Sequence, residues 1–580
     1  MAQVGLGAGP NVPPMGNPLA EQVDGSTLSR VELAVIAAAC VSVHAAVLPG
    51  PLARAVPLLI VLPALAVWAI PRACGAPGAR QFDRPALIAA VWLVWCAVCV
   101  LAAGDRHLAV HRVIGHGVAA CAWFVAGRSS QTAAKQIASL LALSGAAAAA
   151  LGLALWALGV TPGQFCYTLR DQNTLGAHLA LVTPLAVWRA WRDGPRRWLH
   201  RAAGLLCLGG TLATGSRGAA LAITLAAASA WALVGGTAPP DRLARLRSVL
   251  AALAVLLVPA LALAAVSDPA QSSSMPHRLF MWATCARIAQ ESPAFGAGPG
   301  NFQLAYLSHR PPDSRESYAL AIPADAHNDA MDALAETGVP GLILAIALVG
   351  TCLMPAIRRS ALEGRGLAVA VSAALIGWCA NGLLNSSLAN PATEPACLLI
   401  LGLAVSASSE RRPWAVPRPL AWFAPFLVLL PLSLAGQRVI RTVWAWSVVS
   451  QIGLASEQRA ILREGGEPPL SRGSAGPGAA AALRRAIRID PAYNALWQLL
   501  AAVTAASEPG VARAALLRSI ELVPSYAGSH HALGLLLAAE GHAVRAREEL
   551  RTAVRLDPYN PDYRIDLAEQ LGPDQRFAAL

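Results

Sequence analysis

Residues 202–235 read AAGLLCLGGTLATGSRGAALAITLAAASAWALVG, and Arg217 is the single charged side chain in this stretch. A run this long and apolar is typical of a chain in contact with lipid. The segment Thr214–Gly218 interrupts the run with an arginine flanked by glycines. Because an arginine deep in hydrocarbon is costly, we predict that the chain turns there. The stretch then forms two short spans, at 202–214 and 218–235, joined at the outer face of a membrane.

The composition of the whole chain favours many such spans. Hydrophobic residues make up 56% of the 580 residues and charged residues only 13%, against about 25% in a typical soluble domain. Apolar runs near the ~20-residue spanning length recur and predict an all-α, polytopic bundle of about thirteen spans. We place these spans near 31–48, 52–70, 86–103, 110–127, 137–158, 174–188, 202–214, 218–235, 249–266, 339–355, 366–384, 396–408 and 420–436.

The positive charge is concentrated in alternate loops between these spans. The arginine-rich loops lie near 72–84, 128–135, 189–201, 242–247, 358–365 and 411–418. The positive-inside rule places them, with the N-terminus, in the cytoplasm of a cell whose inner (plasma) membrane holds the protein. The net charge of +12 therefore reflects orientation, and we expect no nucleic-acid partner.

Four regions follow from these patterns. Residues 1–30, rich in Gly and Pro, are expected to be a disordered cytoplasmic tail, and residues 31–436 the transmembrane domain. Within that domain, 267–338 is a long extracytoplasmic loop. A connector at 437–470 leads to repeats at 471–580, which the charge pattern also places outside the cytoplasm.

The last region repeats a short motif at a regular interval. Pro491, Pro524 and Pro558 are 33 and 34 residues apart, and each is followed shortly by a tyrosine. This spacing matches the tetratricopeptide period and predicts a TPR-type α-solenoid. Such a stack offers a concave face for a protein partner, although a folded spacer without a ligand would show the same pattern.

The long loop carries the residues with the clearest chemistry. Arg278 opens an amphipathic helix there, and His327 precedes a second helix. With Arg217 they are predicted at one membrane face, where two arginines suit a diphosphate and a histidine suits proton transfer with a hydroxyl. The bland alternatives are a solvated arginine and a helix-capping histidine. The loop has no D-x-D pair and no cysteine–histidine zinc spacing, so we expect neither a metal nor another cofactor.

The order of these segments resembles the O-antigen ligase/polymerase superfamily of membrane glycosyltransferases. The segments that carry the resemblance are Asp171–Asn173, Thr214–Gly218, Arg278–Trp282, Gly296–Phe302, Ala326–Asn328 and Glu336–Gly341. The resemblance implies a GT-C-like helical fold and a polyprenyl-diphosphate-linked glycan as donor. It also implies metal-independent transfer with inversion at the anomeric carbon.

The resemblance further implies roles for individual residues. Arg217 and Arg278 would bind the donor diphosphate, and His327 would activate the acceptor hydroxyl or orient the donor. The expected supporting residues for substrate binding are Asn173, Asn301, Asn328 and Glu336.

The acceptor is left open, because the repeats extend the chain beyond the last span. It could be a lipid, a protein or another glycan, so ligase and polymerase are both possible. Two interpretations from other classes also stay open: a flippase or transporter of lipid-linked glycans, and a non-catalytic scaffold for envelope assembly. A disulfide between Cys166 and Cys285, both in outer loops, is a further possibility.

Overall fold

The computed structural model describes 81–82, 84–159, 172–192, 197–234, 274–312, 322–363, 366–388, 390, 393–408, 414–415, 437–438, 440–449 and 478–571. These residues are almost entirely helical. The exception is a two-residue antiparallel pair, β1 (Gln81–Phe82) with β2 (Trp414–Ala415). The first group of helices is α1 (Arg84–Cys99), α2 (Arg106–Arg128), α3 (Gln131–Ala157), α4 (Gln172–Ala190), α5 (Arg197–Ala213), α6 (Arg217–Val234), α7 (Ser274–Glu291), α8 (Phe302–His309), α9 (Asp329–Glu363), α10 (Leu367–Gly382) and α11 (Glu394–Ser408).

Five helices in the described part of the chain are long and apolar enough to cross a membrane. They occupy Arg84–Ala102, Arg106–Arg128, Gln131–Ala157, Arg217–Val234 and Asp329–Leu362, and α10 and α11 are shorter apolar helices. Each predicted span between 86 and 235, and each between 339 and 408, coincides with a helix. The predicted spans near 31–48, 52–70, 249–266 and 420–436, and the tail at 1–30, lie outside the described residues. The total of thirteen spans stays a prediction.

The turn at Arg217 is as the sequence indicates. Helix α5 ends at Ala213 and α6 begins at Arg217, with Gly215 between them at φ 65°. Glycine also allows neighbouring helices to approach closely, as expected where lipid gives no hydrophobic drive for association. An added Cβ at Gly402 of α11 would overlap the Trp123 carbonyl of α2, so these two helices touch backbone to backbone.

Polar contacts define one end of the bundle. Gln131 donates from Nε2 to the Ser406 carbonyl at 2.7 Å, and the Ser406 hydroxyl donates to the Ser129 carbonyl at 3.0 Å. The same end holds the end of α4 and the start of α5, where Arg201 donates to the Ala190 carbonyl at 3.4 Å, and the facing ends of α9 and α10, where the Ser360 and Ser372 hydroxyls are 3.2 Å apart. The described segments of the arginine-rich loops therefore share one end of the bundle. That this end faces the cytoplasm stays a prediction.

The C-terminal helices form a second packed unit. They are α12 (Ala479–Ile489), α13 (Asn494–Thr504), α14 (Pro509–Leu522), α15 (Ala527–Ala539), α16 (Ala543–Leu556) and α17 (Pro561–Glu569). Each helix packs on the next, and a shared apolar core runs through the stack with Leu499, Leu516 and Leu533 buried in it. The prolines of the repeated motif lie in the turns that join α12 to α13, α14 to α15 and α16 to α17. The assignment of this stack to the tetratricopeptide class stays a prediction.

Candidate active site

The backbone around His327 is fixed at both sides. Asn328 caps α9, because its Oδ1 accepts hydrogen bonds from the N–H groups of Ala330 and Met331 at 3.0 and 3.1 Å. Its own N–H donates to the Ser386 hydroxyl at 2.9 Å, and its Nδ2 donates to the Leu383 carbonyl at 3.1 Å. The start of α9 is thereby held against the chain that follows α10.

Ala326, on the other side of His327, is held by two distant residues. Its N–H donates to Asp332 Oδ1 at 2.7 Å, and its carbonyl accepts from Trp282 Nε1 at 3.1 Å. The second oxygen of Asp332 accepts a hydrogen bond from the Ser386 hydroxyl. The loop before α9, helix α7 and the segment after α10 therefore meet at His327.

His327 itself adopts an unusual conformation. It has φ 50°, and within the described ranges it is the one residue other than glycine with a positive φ. Residues held in this region cost free energy and cluster at functional sites. Its side chain is 41% exposed, with Nδ1 3.2 Å from Asp325 Oδ1, while its N–H donates to the same oxygen at 2.9 Å. This arrangement lets a carboxylate orient an imidazole for proton transfer.

The ionisation of Asp325 responds to this contact. Burial alone would raise the pKa of Asp325, but its hydrogen bonds with His327 and the charge of that imidazole outweigh burial. The pKa of Asp325 therefore lies below its usual range. The carboxylate next to His327 is charged at neutral pH.

Arg278 lies one helical turn before the tryptophan that holds the His327 segment. Residues four apart on a helix share a face, and their Cα atoms are about 6 Å apart along the axis. Arg278 is half-buried on the same face of α7 as Trp282, which is bonded to Ala326. Arg278 and His327 therefore lie in the same part of the structure.

Arg217 lies where the start of α6 packs against the end of α10. It is the exposed first residue of α6, and its neighbour Gly218 packs against the end of α10. A Cβ at Gly218 would overlap Asn385 Nδ2 and lie 2.9 Å from Asn381 Oδ1. Gly218, which follows Arg217, and Asn328, which follows His327, thus both contact segment 381–386. Arg217, Arg278 and His327 all lie at the end of the bundle opposite the arginine-rich segments.

Asn173 also belongs to this end. It lies in the first turn of α4 and is half-buried. Three residues on, Gly176 leaves no room for a side chain beside Thr214 and Ser216, the residues that lead into Arg217. The start of α4 therefore packs against the turn that precedes Arg217.

Asn301 ends a glycine turn that is joined to α9 at Ala335 and Glu336. The N–H of Ala297 donates to the Ala335 carbonyl at 2.8 Å, and the N–H of Gly298 to the Glu336 carbonyl at 3.0 Å. Gly298 has φ 93°, and an added Cβ would overlap Ala103. The Glu336 side chain is half-buried, and only its backbone takes part in this joint.

The side chain of Asn301 holds the protein together at this turn. It is 1% exposed, and its Oδ1 accepts from the Asp105 N–H at 2.7 Å. Its Nδ2 donates to the Asp105 carbonyl at 3.1 Å and to the Pro299 carbonyl at 3.0 Å. Each polar atom of the amide thus has a partner within the protein.

Sequence reasoning missed several polar residues that support this end from within the apolar helices. Arg112 of α2 donates to the Leu388 carbonyl at 2.7 Å, and Asp329 Oδ1 accepts from the Leu388 N–H at 2.8 Å. Deeper in α2, His116 contacts Glu394 of α11, and both side chains are buried. Ionisable residues inside an apolar run, such as Arg112 and His116 in α2, were the available signal, because such residues in membranes are usually functional.

Two sequence-based expectations concern a disulfide and a metal site, and the disulfide stays a prediction. Cys285 is a buried free thiol, while Cys166, its suggested partner, lies outside the described part. No three His, Cys, Asp or Glu side chains cluster as a metal site in the ranges that the structure describes.

The fold and this cluster define a class: a multi-pass membrane protein with two arginines and a carboxylate-bound histidine at one end of its helices. The family model described as O-Antigen ligase matches residues 202–346. The match runs from α5 into α9 and contains Arg217, Arg278 and His327. It supports the O-antigen ligase family and a membrane O-antigen ligase-like function for this chain. No curated protein matches the chain.

Proposed function

We propose that this protein transfers or polymerises a glycan carried on polyprenyl diphosphate onto an acceptor hydroxyl, at the extracytoplasmic end of the bundle. The observation that carries the proposal is that the His327 loop contacts α7 through Trp282 and segment 381–386 through Asn328, while the start of α6 packs against the same segment. The exposed Arg217, the half-buried Arg278 and the partly exposed His327 each lie on one of these connected elements. A diphosphate and a reacting hydroxyl require these groups.

In the proposed reaction, His327 takes the proton from the acceptor hydroxyl. The acceptor oxygen forms a bond to the anomeric carbon while the bond from that carbon to the diphosphate oxygen breaks. The bonding electrons leave with the lipid diphosphate, and the charge that develops there is stabilised by Arg217 and Arg278. Attack opposite the leaving group inverts the anomeric carbon, and the residues named here supply the step without a metal.

The remaining candidates act around this centre. Asn173 and Glu336, both half-buried near the site, are assigned to contacts with the glycan or the lipid diphosphate. Asn328 and Asn301 are assigned positioning roles, because their side-chain polar atoms bind the backbone of α9 and of Asp105. The repeats would present a lipid, protein or glycan acceptor, or a protein partner that delivers one.

Donor consumption by the purified protein in detergent tests this proposal. Detergent offers no second compartment, so a flippase would leave the lipid-linked donor chemically unchanged, whereas a transferase releases polyprenyl diphosphate. We expect His327→Ala and Arg278→Ala each to lower turnover by about 10²-fold or more, the usual size of a general-base or charge-stabilising contribution.

Arg201→Ala is the matched control, since Arg201 is exposed at the opposite end of the bundle. It should keep wild-type turnover and the same level in the membrane. Full activity of both site variants would end the site assignment. An intact donor after incubation with wild-type protein and acceptor would favour transport.

A further inference from the structure

The C-terminal stack contacts the membrane part through the turn of each repeat. In the first turn, Asp490 Oδ2 lies 3.9 Å from His107 Nε2 of α2, and it also accepts from the hydroxyl of Thr442, in the connector before the repeats, at 2.6 Å. The ring of Tyr493 stacks on His107 with centroids 5.3 Å apart. In the second turn, Ser525 Oγ lies so close to Gly104 that a Cβ there would be 2.9 Å from it.

The third turn makes the strongest contact. Arg310 is 4% exposed and Asp557 is 3% exposed, and a guanidinium nitrogen of Arg310 contacts Asp557 Oδ1. The rings of Tyr306 and Tyr559 each lie 5.7 Å from the guanidinium carbon of Arg310. Burial raises the pKa of Asp557, and the charge of Arg310 counteracts that rise. Removing one partner of such a pair leaves a buried charge without compensation.

These contacts reach the two segments that hold the glycine turn. Gly104 and His107 flank Asp105, whose backbone is bound by Asn301. Arg310 directly follows α8, the helix that starts after Asn301. The stack therefore contacts the chain around Asp105 and the end of α8, the two segments that Asn301 connects.

A further hydrogen bond connects Arg310 to the helix of the candidate site. The carbonyl of Arg310 accepts from Arg287 Nη1 at 3.1 Å, and Arg287 lies on α7. Helix α7 also carries Arg278 and, through Trp282, holds the His327 segment. A continuous path of contacts thus leads from the third repeat turn to the candidate site.

We propose that Asp557 and Arg310 are positioning residues for glycosyl transfer: by docking the repeat stack on the end of α8, whose Arg310 carbonyl is bonded to α7, they hold Arg278 in place. This inference rests on the proposed function. It makes the stack part of the frame of the enzyme, in addition to any partner it binds.

The test uses the full chain in lipid nanodiscs. The variants are Asp557→Asn, Arg310→Gln and the exchange of both charges, Arg310→Asp with Asp557→Arg. Hydrogen exchange is followed by mass spectrometry over 302–310, and kcat and KM are measured for the lipid-linked donor. The matched control is Arg518→Gln, which breaks an exposed ion pair with Glu521 within the stack.

We expect each single variant to speed exchange over 302–310 and to lower kcat/KM at least tenfold, while Arg518→Gln changes neither. The charge exchange should recover part of both. If a single variant loosens the whole bundle, the double variant with swapped charges decides the question. Recovery of slow hydrogen exchange and of kcat/KM in that double variant supports the proposal, and no recovery overturns it. Unchanged exchange, or faster exchange with kcat/KM within twofold of wild type, also overturns it.

Failure of the positioning role can be told apart from failure of the proposed transferase function. If wild-type protein consumes donor and His327→Ala does not, the transferase assignment stands whatever the Asp557 variants do. If wild-type protein consumes no donor, the function fails, and hydrogen exchange still reports whether the pair docks the stack.

Discussion

Replacing Asn301 by alanine separates two roles that this residue could have. The family resemblance implies that Asn301 binds substrate, whereas in the structure its amide is hydrogen-bonded to Asp105 and Pro299. If the second role holds, Asn301→Ala should loosen the glycine turn before it affects donor binding. We therefore expect a local loss of stability, followed by a loss of turnover.

The size of this loss follows from the hydrogen bonds removed. Three bonds of 2.7, 3.1 and 3.0 Å disappear, and Asn301 is 1% exposed, so water does not readily replace them. At about 1 kcal/mol net for each bond, the opening free energy of the joint falls by about 3 kcal/mol. Since 1.4 kcal/mol is a factor of ten, hydrogen exchange at the joint should accelerate about a hundredfold.

Native-state hydrogen exchange over 103–108 and 299–305 measures this opening directly. Ser130→Ala is the control, because Ser130 is exposed at the opposite end of the bundle and caps α3 by accepting one hydrogen bond from the Ala133 N–H at 3.2 Å. It should cost about 1 kcal/mol locally and leave 299–305 unchanged. Unchanged exchange in Asn301→Ala, together with a raised KM for the donor, would refute the bracing role and restore the substrate-binding role.

Two further predictions concern the same end of the bundle. Gly338 has φ 68° and ψ −173°, a region open essentially to glycine, and a Cβ there would overlap the Ala294 carbonyl. Gly338→Ala should cost about 3 kcal/mol or more in thermal unfolding, whereas Gly541→Ala, with φ 82° and open space around it, should cost about 1–2 kcal/mol; equal costs would contradict the overlap. The pKa of Asp325 is lowered in the folded protein, so its stabilising contact with His327 is present above pH of about 4 and is lost as pH falls through the folded value. Asp325→Asn should remove this acid-dependent part of the unfolding midpoint between pH 7 and 3, and an unchanged pH curve would contradict it.

Local sequence patterns predicted the elements that arise from local forces. Each apolar run within the described ranges is a helix, because a backbone in lipid must bond to itself. The break at Arg217 was predictable for a related reason, since the arginine cannot stay in hydrocarbon. Glycines in the sequence also predicted where some helices end, as at the turn that contains Gly298.

Pairings between distant segments were not predictable in this way. Asn301 is 196 residues from Asp105, and nothing in either neighbourhood indicates the other. The sequence pattern therefore selected Asn301 as a candidate, and the contacts were needed to show that its amide binds the backbone of Asp105 and Pro299. The same limit hid the contact of His116 with Glu394, which are 278 residues apart in two different apolar helices.

The three repeat turns differ in the residue before the proline, and the difference follows what each turn contacts in the membrane part. The 33- and 34-residue spacing sets three turns at equivalent positions, and two of them carry an aspartate. Asp490 faces the imidazole of His107 and Asp557 faces Arg310, whereas the second turn has Val523 and meets the Gly104 backbone through Ser525. An acid occurs in the two turns that contact a nitrogen-bearing side chain of the membrane part, whereas the turn that contacts Gly104 has Val523 at the same position. Because a buried carboxylate without such a partner is costly, the valine is the residue that the second position tolerates.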